Sequence, residues 1–162
     1  MTAARILPFV VALFALPIAA CSSSDSSTQP SFSPEMVAAA GDYQLTVVNG
    51  APVPKDLGAV SGTTCPHVVA DGGTLTLSYS PSGGANFSLT MTAHGECPGQ
   101  TINGGNLGFG FSGTWSLANG ALVLRPSGPS NGFSILSSAY NGGGVTVNVA
   151  WSFPQTTLTY TR

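Results

Sequence analysis

From Asp42 onward apolar and polar residues alternate one by one, the pattern of strands that bury one face and wet the other. The alternation begins in Tyr43-Gln44-Leu45-Thr46-Val47. Asn49-Gly50, the dipeptide that best tolerates positive φ, ends that strand. Pro52 and Pro54 remove ladder donors, so residues 51–64 read as a long connection or an irregular edge. Thr74 to Ser80 alternates again, with Leu75, Leu77 and Tyr79 on one face. Pro81-Ser82-Gly83-Gly84 then turns the chain. Phe87, Leu89, Met91 and Ala93 carry the apolar face back, which predicts a hairpin centred near Gly83. A Gly- and Asn-rich loop over residues 96–106 follows, after which Phe109, Phe111, Gly113, Trp115 and Leu117 alternate along what reads as the longest strand. Ala118-Asn119-Gly120 returns the chain into Leu122-Val123-Leu124. Residues 128–131 turn it into a strand carrying Phe133 and Ile135, and residues 141–144 turn it once more. Val145, Val147, Val149, Trp151 and Phe153 give the clearest alternation of all, Pro154 breaks it, and Leu158 with Tyr160 closes the chain.

This pattern predicts about eight strands joined by short turns. The fold class is all-β, a single antiparallel up-and-down barrel, with a small β-sandwich as the alternative, because closure removes the edges that long alternating strands expose. Gly41-Asp42-Tyr43-Gln44-Leu45, Gly73-Thr74-Leu75-Thr76-Leu77 and Gly113-Thr114-Trp115-Ser116-Leu117 echo one another, as a meander rich in Gly and Thr also would. Glu35 to Ala40 has the length of one helical turn, too short to be stable in isolation, and reads as linker.

Upstream of the alternation the chain changes character. Arg5 precedes an apolar block from Ile6 to Leu16, too short to span a bilayer as a permanent helix. Leu16-Pro17-Ile18-Ala19-Ala20-Cys21 follows, with small residues just before the cysteine. This run resembles the lipobox of bacterial lipoproteins, with Ile18 where Leu is commoner. The resemblance implies cleavage before Cys21, a diacylglycerol on its thiol and a membrane anchor at that residue. Ser22 stands where Asp retains such proteins at the inner membrane, so the resemblance implies a place in the bacterial cell envelope, with the outer membrane favoured over the inner. The organisation expected is therefore a signal peptide over residues 1–20, a lipidated cysteine and flexible Ser-rich tether over 21–40, and the β-barrel over 41–162.

Composition narrows the function. Charged residues are only 6% of the 162-residue chain, against roughly 25% in ordinary soluble domains. Beyond residue 20, three basic side chains (Lys55, Arg125, Arg162) face six acidic ones. That balance argues against nucleic acid as a partner, since phosphate backbones are held by clustered Lys and Arg. With Cys21 assigned to lipid, Cys65 and Cys97 remain as an even pair in an oxidising compartment, and a disulfide is the natural reading.

Candidate chemistry is sparse. Cys65-Pro66-His67 and His94-Gly95-Glu96-Cys97 bring together four ligand types for zinc, but the one-residue spacing of Cys65 and His67 is short and exported thiols oxidise, so no metal is expected. No Gly-x-Ser-x-Gly elbow accompanies the two histidines, and Asp71 and Glu96, the carboxylates that could pair for glycoside hydrolysis, sit in no signature. The Gly104–Gly108 run is too short to cradle a phosphate. No catalytic residue or cofactor is expected, and the chain does not read as an enzyme. Phe109, Phe111, Trp115 and Trp151, with Phe87, Phe133 and Phe153, either line a ligand cavity or fill it. Glycines 108, 110 and 113 would leave room for a cavity.

The run from Gly41 to Pro54, with Gly113-Thr114-Trp115-Ser116-Leu117 and Leu122-Val123-Leu124, resembles bacterial lipoproteins that carry a lipocalin-like β-barrel domain. The resemblance implies a fold and no particular residues. Two roles are expected on this basis: a lipid-anchored module that binds a small apolar ligand, or a structural or protein-interaction lipoprotein with a solid core.

Overall fold

The computed structural model describes residues 32–59, 67–80, 82, 84–98, 100–102, 109–128, 134–150 and 155–162. The expected signal peptide, Cys21, Cys65, Phe133, Trp151, Phe153 and most of the expected tether lie outside those residues.

The described chain begins with a short helix, α1 (Pro34–Ala39), and continues through β1 (Gly41–Val48), β2 (Ala51–Pro52), β3 (Lys55–Asp56), β4 (His67–Gly72), β5 (Thr74–Ser80) and β6 (Gly84–Cys97). The remaining strands are β7 (Gln100–Ile102), β8 (Phe109–Ala118), β9 (Ala121–Pro126), β10 (Ser134–Tyr140), β11 (Gly144–Ala150) and β12 (Thr156–Thr161). All belong to one antiparallel sheet. Its main run is β10-β11-β12-β1-β5-β6-β8-β9, in which every neighbour follows in sequence except where β12 meets β1 and where β1 passes to β5 and β6 to β8. The small strands β3, β4 and β7 form an annex on the second half of β6, and β2 folds back on the end of β1.

The all-β meander is thus as expected, but the barrel is not closed. β9 and β10 lie side by side, yet no ladder joins them. β10 alternates inward and outward on either side of one register shift against β11, between Ile135 and Ser137, and its inward positions are only half-buried. The sandwich alternative also fails, since there is one sheet.

Three further expectations are corrected. The longest strand is β6, at 14 residues against 10 for β8, because the region read as a loop from residue 96 begins with the last turns of pairing: His67 faces Glu96, and Cys97 faces Gln100. The β5–β6 hairpin centres on residue 82, where Leu77 faces Phe87 and Ser80 faces Gly84. The linker reading of residues 34–40 gives way to α1, whose N-cap Ser33 accepts from the Met36 N–H with Pro34 in the first turn. Tertiary contact supplies what six residues cannot. Ala39 is fully buried, the Tyr43 hydroxyl donates to its carbonyl at 2.5 Å, and Arg162 donates to the Ala38 and Ala40 carbonyls at 2.9 and 2.7 Å.

Inside the rolled sheet one hydrophobic cluster runs from Tyr43 to Tyr160. Tyr43, Leu75, Leu89, Val145, Val147, Val149, Leu158 and Tyr160 have no exposed surface at all. A side chain facing an internal void large enough for water would show surface to it, so this half of the interior is solid.

Candidate binding site at the open seam

The opposite flank is looser. Along β8, Phe109, Phe111 and Trp115 keep 7%, 8% and 4% of their surface, and Leu122 and Leu124 on β9 keep 3% and 6%. On β10 the inward positions Ile135, Ser138 and Tyr140 are only half-buried. Residual exposure is therefore greatest on β10, while the inward side chains of β9 are as buried as those of β8.

The expected aromatic row sits as the alternation placed it. Phe109, Phe111, Trp115 and Leu117 share the buried face of β8. Phe109 and Phe111 meet edge to face with centroids 5.6 Å apart. The Trp115 indole N–H donates to the Ser78 carbonyl at 2.8 Å, reaching over β6 to β5. These rings are core. The room that Gly113 would leave is taken by main chain: a Cβ there would lie 2.1 Å from the Arg125 carbonyl oxygen. Gly73, the equivalent glycine in the sequence echo, would meet the Thr90 carbonyl oxygen at the same distance. The echo marks two places where a neighbouring strand crosses close over the backbone, which only glycine allows.

Between β9 and β10 lies a groove of about 320 Å³. Leu122, Val123 and Leu124 form one wall, and Ile135, Leu136, Ser137 and Ser138 the other. The tight β8–β9 turn, with Asn119 and Gly120 both at positive φ, pairs Ala118 with Ala121. Alternate residues of β9 then bond to β8, and the backbone groups of Leu122 and Leu124 face the seam. One of them is met by a side chain: the Ser138 hydroxyl donates to the Leu122 carbonyl at 2.9 Å. Ser138 stands where an inward apolar residue would otherwise be, and its hydroxyl does part of the work of the missing ladder.

None of these groove residues except Ile135 and the Leu122–Leu124 strand drew notice in the sequence, but a signal was there. Val123 and Leu136 are apolar at outward positions, 40% and 52% exposed, in a chain that otherwise alternates. Leu122-Val123-Leu124 and Ile135-Leu136 are the runs that break the rhythm, and the fold sets them opposite each other.

A second cleft, about 460 Å³ and wide open, lies at the end of the roll covered by α1, between Ser33, Pro34 and Glu35 and the β8–β9 turn at Leu117, Ala118 and Asn119.

The polar candidates gather on the outer face of the annex. His94 on β6 directs Nδ1 to Asp71 of β4 at 2.8 Å, with Glu96 3.7 Å from its other nitrogen. His67 directs Nδ1 to Asp56 of β3 at 2.8 Å. The Asp71 carboxylate holds the His94 pKa above the usual imidazole value, and the Gly58 N–H with His67 holds Asp56 below the usual carboxylate value. Asp71 and Glu96, weighed as a carboxylate pair, instead flank one imidazole. Among the described residues no group of three or more His, Cys, Asp or Glu is arranged to hold a metal ion. Cys97 ends β6, paired with Gln100 of β7, and Cys65 lies outside the described residues.

Among the described residues no helix is long and apolar enough to cross a membrane. Compared with protein-family models, curated proteins and solved structures, the chain shows no match to any.

Proposed function

We propose that this chain is a lipid-anchored protein of the bacterial envelope, held at Cys21, whose folded domain binds a small apolar ligand without catalysing a reaction. The observation that supports the reading is the uneven interior, solid along β1, β5, β11 and β12 but opening between β9 and β10 onto a groove lined by leucine, valine and isoleucine side chains together with serines and main chain. The groove's volume is at the lower end of ligand sites. The lipocalin-like resemblance bears on the same reading, with the difference that the ligand enters through the wall and not through the end of the roll. A Cys65–Cys97 disulfide belongs to this proposal, supported by an even pair of cysteines in an oxidising compartment, and a loop of about 33 residues closed in the unfolded chain contributes roughly 3–4 kcal/mol.

Native mass spectrometry of the protein purified from its own envelope tests the ligand. A retained mass of a few hundred daltons, lost on denaturation, is expected. The second reading, a solid structural or interaction lipoprotein, is favoured by the sealed half of the core, and a ligand-free mass with no uptake of apolar probes would establish it over the first. Cys21→Ser tests the anchor: the variant leaves the membrane fraction on washing, and its retention without lipid would refute anchoring.

A further inference from the structure

We propose that the end of the roll capped by α1 is a contact surface for a lipid bilayer, the face on which the domain sits against its membrane. This rests on the Cys21 anchor reading and fixes which end of the domain meets the lipid. α1 carries a single polar side chain, Glu35, in Pro34-Glu35-Met36-Val37-Ala38-Ala39. Ala39 is packed inward, yet Pro34, Val37 and Ala38 are apolar and exposed, Val37 at 47%. A helix that is apolar on both sides is one that is covered on both sides. Tyr79 adds to the same end. It continues the inward row of Leu75 and Leu77 but stands past the core at the end of β5, 39% exposed, with the Phe32 ring against it at a centroid distance of 5.0 Å. β1 begins opposite Leu77, so the chain just before it lies beside these last residues of β5. A tyrosine ring with an apolar body and a wet hydroxyl suits the headgroup level of a bilayer.

The surface that covers this face is the one from which the chain enters it. Ten residues, Ser22 to Ser31, separate Cys21 from Phe32. Even fully extended, that length holds Phe32 within roughly 40 Å of the anchor. A patch tethered so closely needs little affinity of its own, because its contact with the bilayer is an intramolecular event. Charge is placed the other way. Asp56, Asp71 and Glu96, half of the six carboxylates of the chain, gather on the annex. Its His94 lies ten residues along β6 from Gly84, which turns at the α1 end, and so roughly 33 Å further along the strand. Glu35 and Asp42 belong to the α1 end together with Arg162, whose guanidinium is held on the α1 carbonyls.

The test uses the isotope-labelled full chain purified from its own envelope and placed in phosphatidylcholine nanodiscs, with and without a gadolinium-chelating lipid, and reads paramagnetic broadening amide by amide. The amides of Val37, Ala38 and Tyr79 are expected to broaden most, and those of His67, Asp71 and His94 least. Val37→Ser and Tyr79→Ser together should lose most of that contrast while the protein stays in the nanodisc and keeps its melting curve, since both positions are exposed. Val123→Ser, at a comparably exposed position on β9, should keep the contrast. Even broadening over the domain, a maximum at the annex or the seam, or a maximum at α1 that the double variant leaves unchanged, overturns the face and leaves the anchor standing. A chain whose intact mass lacks lipid at Cys21 and which does not enter nanodiscs overturns both. Self-association of the Cys21→Ser chain in solution, lost in the double variant, would make the face a contact between copies and overturn the bilayer assignment.

Discussion

Trp115 shows how one residue can satisfy packing and polarity together, burying its ring beside Leu117 while its N–H meets the Ser78 carbonyl. Trp115→Ala removes both and is expected to cost about 3–5 kcal/mol by chemical denaturation. Trp115→Phe keeps most of the volume and is expected to cost about 1–2 kcal/mol through the lost hydrogen bond and the smaller ring. A near-neutral alanine variant would refute the inward register of β8. Gly113 is the opposite case, a position defined by what it lacks. Gly113→Ala drives a methyl against the Arg125 carbonyl and should destabilise by about 1–3 kcal/mol, although alanine is ordinarily the better strand residue. The aromatic row was legible because burial follows period two. The glycine was not, because a close main-chain approach leaves only an absence in the sequence, and absence also reads as space. His94 adds a test that needs no denaturant. Its folded pKa is raised by Asp71, so the interaction is in full force below the unfolded value and is lost as pH rises through the folded one. An NMR titration should place its midpoint above an ordinary histidine, and Asp71→Asn should bring it back toward the ordinary value.

At the scale of elements, α1 is held by the burial of Ala39, the Tyr43 hydroxyl and the far end of the chain together. Arg162 caps the last carbonyls of the helix while its guanidinium lies over the Tyr43 ring, 4.8 Å from the centroid. The charge is exposed, so its worth is modest, about 1 kcal/mol after solvent screening. Arg162→Ala should therefore leave the sheet intact while amide exchange over Met36 to Ala40 quickens; unchanged exchange there would show that Ala39 burial alone pins the helix. Propensity could not have found α1, because six residues are held by tertiary contacts, including those of Arg162 more than 120 positions away. The same limit applies to the second half of β6. Its Thr92-Ala93-His94-Gly95-Glu96 run mixes glycine and charge like a loop, yet β4 and β7 on either side make it a central strand. Turns fared better, since Asn49-Gly50 and Asn119-Gly120 both sit at positive φ and carry their signal in the dipeptide itself.

The molecule as a whole is a sheet rolled until its edges touch without joining, and that final step was beyond the reach of the alternation. The main strands and their turns follow from period two, whereas the twelve strands in place of about eight, the annex on β6 and the open seam depend on which edges pair, and β9 and β10 form no ladder. Hydrogen exchange resolves this geometry one amide at a time. In β9, Val123 and Arg125 bond toward β8 and should be protected, while Leu122 and Leu124 face the seam and should exchange faster, giving a period-two pattern. β10 should show the same pattern with Ser138 and Tyr140 as the fast positions, because the Asn141 N–H bonds to the Gly144 carbonyl and sets the alternation against β11. β12, with ladders to both β11 and β1 from Leu158 to Thr161, should show no such alternation there. Uniform protection across β9 and β10 in the free protein would mean that the ladder closes in solution, and the groove would then be no more than a crease in a sealed barrel.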